Sequence, residues 1–214
     1  MELPGGMVTF LLTDVEGSTQ LWEEHPDEMS DVLARHLDLL GRTVGDHYGH
    51  VVKNTGDGVF AVFADAADGV RAAVAAQLAL HGGAATEPIP LRARCGLHSA
   101  EAQPERGDYR AAGVNRCARI MGVAHGGQVL LSQSTLDLID GLEEIGFLDL
   151  GHHRLLDLSG AVRLHQALHA DLPAEFPPLR FLEGFANNLP AEMSSFIGRE
   201  TELAELARLV DETR

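Results

Sequence analysis

The chain predicts an α+β domain, a mixed sheet layered with helices, on three observations. Apolar or β-branched runs of strand length recur, stretches of helical periodicity separate some of them, and glycine-punctuated turns join others directly. The elements follow in the order β-α-β-β-α-β-α-β, in which hairpins alternate with crossovers.

Val8 to Leu12 reads as a buried strand that runs into Thr13-Asp14-Val15-Glu16-Gly17-Ser18-Thr19, with Ser18 or Thr19 placed to cap a helix. Met29, Val32, Leu33, Leu37, Leu40 and Val44 recur at helical spacing, so a long amphipathic helix is expected from about Pro26-Asp27 to Gly49. Val51 to Lys53 and Val59 to Phe63 form a hairpin around Thr55-Gly56, and Val51-Val52 again reads as buried strand. Asp65 caps an alanine-rich helix that stops at Gly82-Gly83, and the loop after it leads into a strand from Leu91 to Leu97. Gly113 to Val123 is the next helix, Gln128 to Ser132 a strand, and Phe147 to Leu150 with Val162 to Leu168 close the pattern.

Composition bounds what this fold can do. With 32 acids against 16 lysines and arginines, the 214-residue chain carries a formal charge of −16, which disfavours broad contact with nucleic acid or anionic lipid. No apolar stretch approaches the roughly 20 residues of a membrane span, and the N-terminus has no charged region followed by an apolar one; a soluble, cytoplasmic protein is expected. Cys95 and Cys117 are the 2 cysteines, lack CxxC spacing, and read as buried thiols. Eleven histidines invite a metal reading, but His152-His153 would point to opposite faces of one strand and no HExxH accompanies them.

Residues 1–169 are expected as one catalytic-sized domain. Residues 170–190, with Pro173, Pro177, Pro178 and Pro190, suit an extended linker. Over 191–214 the chain turns helical again, with Leu203, Leu206, Ala207 and Val210 on one stripe.

Asp14 and Asp57 each sit in a glycine-rich turn at a strand end, where two carboxylates can bridge divalent cations roughly 3.5–4 Å apart, as phosphoryl chemistry requires. Asn115 and Arg119, four apart, leave one face of the same helix and can orient a ribose and stabilise phosphate charge. Spacing alone is equally satisfied by a plain hairpin turn at Asn54 to Gly58, a capped strand end at Asp14, and a solvated polar helix face.

Taken together, Asp14, the Lys53-Asn54-Thr55-Gly56-Asp57 spacing, Asp108, and Val114-Asn115-Arg116-Cys117-Ala118-Arg119 resemble the class III adenylyl/guanylyl cyclase catalytic domain over about residues 7–167. The resemblance implies a ferredoxin-like β-α-β-β-α-β sheet with flanking helices. It assigns Asp14, Asp57 and the Val15 carbonyl to two divalent cations, Mg2+ or Mn2+, and Lys53 and Asp108 to the base. Asn115 would hold the ribose and Arg119 the α-phosphate. It further implies conversion of ATP to 3′,5′-cyclic AMP and pyrophosphate at sites shared between the subunits of a head-to-tail homodimer. Lys53 and Asp108 suit adenine and oppose guanine.

Two positions depart from the family pattern. Leu156 stands where a basic residue for the triphosphate is common, leaving Arg154 as the nearby cation, and Arg110-Ala111-Ala112 replaces an aromatic-glycine-proline turn. The alternative readings are a catalytically weak, nucleotide-responsive dimerisation module of a regulator, or a guanylyl cyclase, which Lys53 and Asp108 oppose. Asn187 to Pro190, Phe196 to Glu200 and Glu202-Leu203 resemble the entry to bacterial signalling ATPase domains, although the chain has no GxxxxGK[ST].

Overall fold

In the computed structural model, which describes residues 3–180, a seven-stranded sheet has the order β2-β3-β1-β4-β5-β7-β6. The helical segment expected over 191–214 lies outside the described residues, as does the end of the 170–190 linker. The strands are β1 (Gly6–Val15), β2 (His50–Asn54), β3 (Val59–Phe63), β4 (Ala93–Ala102), β5 (Val129–Ser132), β6 (Gly146–Arg154) and β7 (Ala161–Leu168). The helices are α1 (Ser18–Glu24), α2 (Met29–Asp46), α3 (Ala66–Leu80), α4 (Ala112–Val123) and α5 (Gln133–Leu136).

Strand alternation divides the core between the two sheet faces. Val8, Phe10 and Leu12 of β1 pack with Phe60, Tyr109 and Cys117 beneath α4, whereas Leu11 packs with Ala61, Phe63, Leu97 and the Val70 and Val74 of α3. Phe10 is fully buried and meets Tyr109 edge-on at 5.3 Å. Burying a side chain of that size is worth roughly 2–3 kcal/mol. α4 can lie this close because Gly96 of β4 faces the Met121 backbone, where a Cβ would collide. The Asp65 side chain caps α3 by accepting from the Ala67 amide, as its sequence position predicts. Both cysteines are buried thiols.

Several boundaries differ for identifiable reasons. β4 begins at Ala93 and not at Leu91, because Leu91 turns inward with Val15, Met29, Val32 and Ile89. It continues to Ala102 because β1 pairs with it along its length, from Gly6 opposite Ala102 to Val15 opposite Ala93. Neither Ser18 nor Thr19 caps α1. Gly17, in the left-handed region at φ 70°, occupies that position without a side-chain cap. β2 is an edge strand, so Val51 is 38% exposed where a buried strand was expected.

Residues 170–172 turn, with the Leu172 amide on the His169 carbonyl at 3.1 Å, and 173–180 then run without regular structure as a strap along the domain. Gln166 donates to the Ala174 carbonyl at 2.8 Å, Leu172 and Leu179 join core clusters, and Phe176 stacks on His125.

Candidate active site

The two expected metal carboxylates come from neighbouring strands. Asp14 is the penultimate residue of β1, and Asp57 precedes β3 in a turn closed by the Thr55 amide on the Gly58 carbonyl at 2.9 Å. β1 and β3 are antiparallel, with Leu12 opposite Phe60, and the Val59 amide donates to Thr13 Oγ1 at 2.9 Å. Gly58 lies so close to the Thr13 carbonyl that any Cβ would overlap it, and this contact holds the Asp57 turn against the end of β1. Asp14 follows the parity of Val8, Phe10 and Leu12, so its carboxylate leaves the face of the sheet that α4 covers. Val15 is buried in the cluster with Met29 and Val32, which fixes the backbone at its carbonyl. Two carboxylates and a carbonyl are hard oxygen donors, and they fit Mg2+ or Mn2+ better than a thiophilic metal.

Arg94, which sequence reasoning passed over, stands directly opposite Asp14 on β4 and forms an ion pair with it. Its Nε is buried without a partner among the described residues. Burial, and then the nearby charge of Arg180, lower the Arg94 pKa below the ordinary arginine value. A signal was available: an arginine within an expected central strand has to be paired or used, because an unpaired buried charge is costly. His36 of α2 was passed over as well. It is fully buried, and neither ring nitrogen has a hydrogen-bond partner among the described residues. Burial pushes its pKa down to about 4; the Asp57 charge and backbone oppose that shift, but the backbone is not in hydrogen-bonding geometry.

The expected base-reading residues meet. Lys53 Nζ lies 2.5 Å from Asp108 Oδ2, and the ammonium sits 5.7 Å from the centre of the Phe60 ring. Lys53 is opposite Phe60 in the β2–β3 register, so both share the α4 face of the sheet. Asp108 closes a tight turn with Glu105, and its other carboxylate oxygen accepts from the Tyr109 amide at 2.8 Å. The hydrogen bond from Lys53, then the one from Tyr109, hold its pKa below the usual carboxylate value. The Arg110–Ala112 departure leaves this arrangement standing, since Ala111 is extended and α4 starts at Ala112.

Asn115 and Arg119 project from α4 as their spacing predicts, while Cys117 of the same helix is buried. Arg119 is not idle: its Nη2 lies 2.5 Å from Asp157 Oδ2, in the β6–β7 loop, where Asp157 holds φ 58°. Arg154 stands apart. It is exposed at the end of β6, opposite Ala161, with no ion pair or hydrogen bond among the described residues. His152 and His153 pair with Arg163 and Val162 as successive residues of β6, so they point to opposite faces as expected.

Residues 3–155 match the profile of the adenylate and guanylate cyclase catalytic domain, and the chain belongs to that family. An uncharacterized protein of Mycobacterium tuberculosis strain H37Rv is 37% identical over 207 residues, 94% of this chain and 70% of its own length. A putative adenylate cyclase of Rhizobium meliloti strain 1021 is 32% identical over 165 residues, 74% of this chain and 27% of that protein. Among solved structures, an adenylate cyclase from Trypanosoma brucei in its monomeric state superimposes with a TM-score of 0.74 at 26% identity, over 85% of this chain and 97% of that one. CyaB, an adenylyl cyclase from P. aeruginosa, shares the fold at a TM-score of 0.66 and 23% identity, over 81% of this chain and 100% of that one. The α+β architecture expected from the sequence is thus that of the class III cyclases. No helix among the described residues is long and apolar enough to cross a membrane.

Proposed function

We propose that the chain is an adenylyl cyclase, converting ATP to 3′,5′-cyclic AMP and pyrophosphate at two sites shared between the subunits of a head-to-tail homodimer. The Lys53–Asp108 pair carries the reading. It presents a donor and an acceptor side by side, as the N1 acceptor and exocyclic amine of adenine require. Guanine offers an N–H and a carbonyl at the same edge in the inverse order, leaving both charged groups mismatched. Each mismatch costs about 1–3 kcal/mol, or roughly tenfold to a hundredfold in discrimination.

Asp14, Asp57 and the Val15 carbonyl would hold the divalent cations, which when bound neutralise phosphate charge and acidify the ribose 3′-hydroxyl. Asn115 orients the ribose so that this hydroxyl lies in line with the α-phosphorus. Arg119 exchanges Asp157 for the α-phosphate as negative charge moves toward the leaving pyrophosphate. Arg94, next to Asp14, turns its guanidinium to the outer phosphates once the carboxylate has other partners. Lys53 and Asp57 flank one tight turn and are poorly placed to grip both ends of one ATP, which favours a division of labour between two copies.

The test is purified protein with ATP or GTP and Mn2+, read for cyclic nucleotide and pyrophosphate. Cyclic AMP should form at least tenfold faster than cyclic GMP, and replacing Lys53 with Glu together with Asp108 with Ala should erase that preference. Absence of either product would favour the dimerisation-module reading. Unchanged ATP kinetics in the double variant would remove these two residues from base recognition.

A further inference from the structure

We infer that Arg180, at the end of the strap, is a binding residue for the phosphate tail of the substrate. It would supply from the metal-bearing side the cation that the β6–β7 loop, with exposed Leu156, does not. This rests on the nucleotide-cyclase reading of the site.

Arg180 Nη1 lies 2.9 Å from Glu16 Oε1, and Glu16 is two residues beyond Asp14 in the loop between β1 and α1. The Glu16 amide is itself bound to the Arg92 carbonyl at 2.9 Å, so the acid is held at the strand end and not on a loose loop. Arg180 is also fixed from behind. Its amide donates to the Val123 carbonyl at 2.9 Å, His125 Nε2 lies 3.0 Å from the Pro178 carbonyl, and Leu179 packs with Ile120 and Val123. Both the end of the helix carrying Asn115 and Arg119 and the loop carrying Glu16, just past Asp14, therefore anchor this one residue.

Charge gives this placement a purpose. Arg94 is held by Asp14 and Arg180 by Glu16, two acids two residues apart in the chain. Arg94 is left with a buried Nε lacking a partner among the described residues, and Arg180 has a half-exposed guanidinium. A pyrophosphate or triphosphate chain is a multivalent anion with oxygens enough for both. In the β6–β7 loop, Leu156 offers no charge and Asp157 offers the wrong sign, and Arg154 lies on exposed strand.

The opposing account is that Arg180 only ties the strap down through Glu16. The two accounts differ in sign for the partner residue. Full-length protein is titrated calorimetrically with inorganic pyrophosphate and with AMP, each with and without Mn2+, and ATP kinetics are measured alongside. Arg180→Gln should weaken pyrophosphate binding and raise KM for ATP by roughly tenfold, the scale of one charge-assisted hydrogen bond. AMP affinity should stay as in wild type and kcat within about threefold, and Arg180→Lys should recover most of the loss. Glu16→Gln, which releases Arg180, should bind pyrophosphate as tightly as wild type or more so. Equal weakening by Arg180→Gln and Glu16→Gln, or wild-type pyrophosphate binding by Arg180→Gln, overturns the inference. Failure of the wild-type protein to make cyclic nucleotide would instead count against the cyclase reading.

Discussion

Arg119 and Asp157 define what a single residue contributes in this domain. The ion pair is exposed, 39% on the arginine side and 66% on the aspartate side, so it is worth little on its own, about 0.2–1 kcal/mol. Under the proposed function its consequence lies in competition, because the guanidinium would have to leave Asp157 to meet a phosphate. Asp157→Asn should therefore raise kcat/KM for ATP by up to roughly fivefold, the kinetic equivalent of that energy. A fall in steady-state kcat/KM would show that Asp157 orients Arg119. Asp14, Lys53, Asp57, Asp108, Asn115 and Arg119 could be singled out in the sequence through the family resemblance, since spacing alone also suits a plain turn, a capped strand end and a solvated helix face. Arg94, Glu16 and Asp157 could not, since what joins them to the site is cross-strand register and loop closure, which no local pattern encodes.

Elements were legible where periodicity or capping marked them, as in α2, α3 and α4. They were blurred where pairing across the sheet set the limits, as in the extension of β4 to Ala102. A proline-rich segment such as 170–180 reads as linker, yet irregular chain can also dock against a domain through a few carbonyls and side chains. β4 also carries a testable electrostatic load. His98 is 4% exposed, Nδ1 lies 2.8 Å from Ser132 Oγ, and burial, followed by the charge of Arg116, pushes its pKa down to about 4. A histidine held neutral in the fold binds a proton more readily when unfolded, at its ordinary value near 6.5. Its contribution is thus fully present above about pH 6.5 and is lost as pH falls from there toward 4. Thermal unfolding should show about 1 kcal/mol less stability from this group at pH 5.5 than at pH 7.5. His98→Gln, although less stable overall, should lose correspondingly less across the same interval. An identical pH slope in the variant would mean that His98 is not held neutral.

At the scale of the whole molecule, the proposed division of the site between two copies is open to a direct test. One end of the β2–β3 hairpin ties Asp57 to the Asp14 strand through Gly58 and Thr13, while its β2 limb commits Lys53 to Asp108 and the Phe60 ring. If a site takes the carboxylates of one copy and the base and phosphate readers of the other, two inactive proteins should repair each other. On that arrangement Asp57→Ala would lack metal binding in both sites of its homodimer, and Arg119→Ala would lack phosphate stabilisation in both of its own. Mixed, a heterodimer sets the intact Asp14 and Asp57 of the Arg119→Ala chain against the intact Lys53, Asp108, Asn115 and Arg119 of the Asp57→Ala chain, while its second site collects both defects. Random exchange makes about half of the dimers mixed, each with one good site of two, so activity should recover to roughly a quarter of wild type. Subunit exchange is verified separately, with two differently tagged chains. Exchange without recovery would place every one of these residues in a single chain's own site and would rule out the division between two copies.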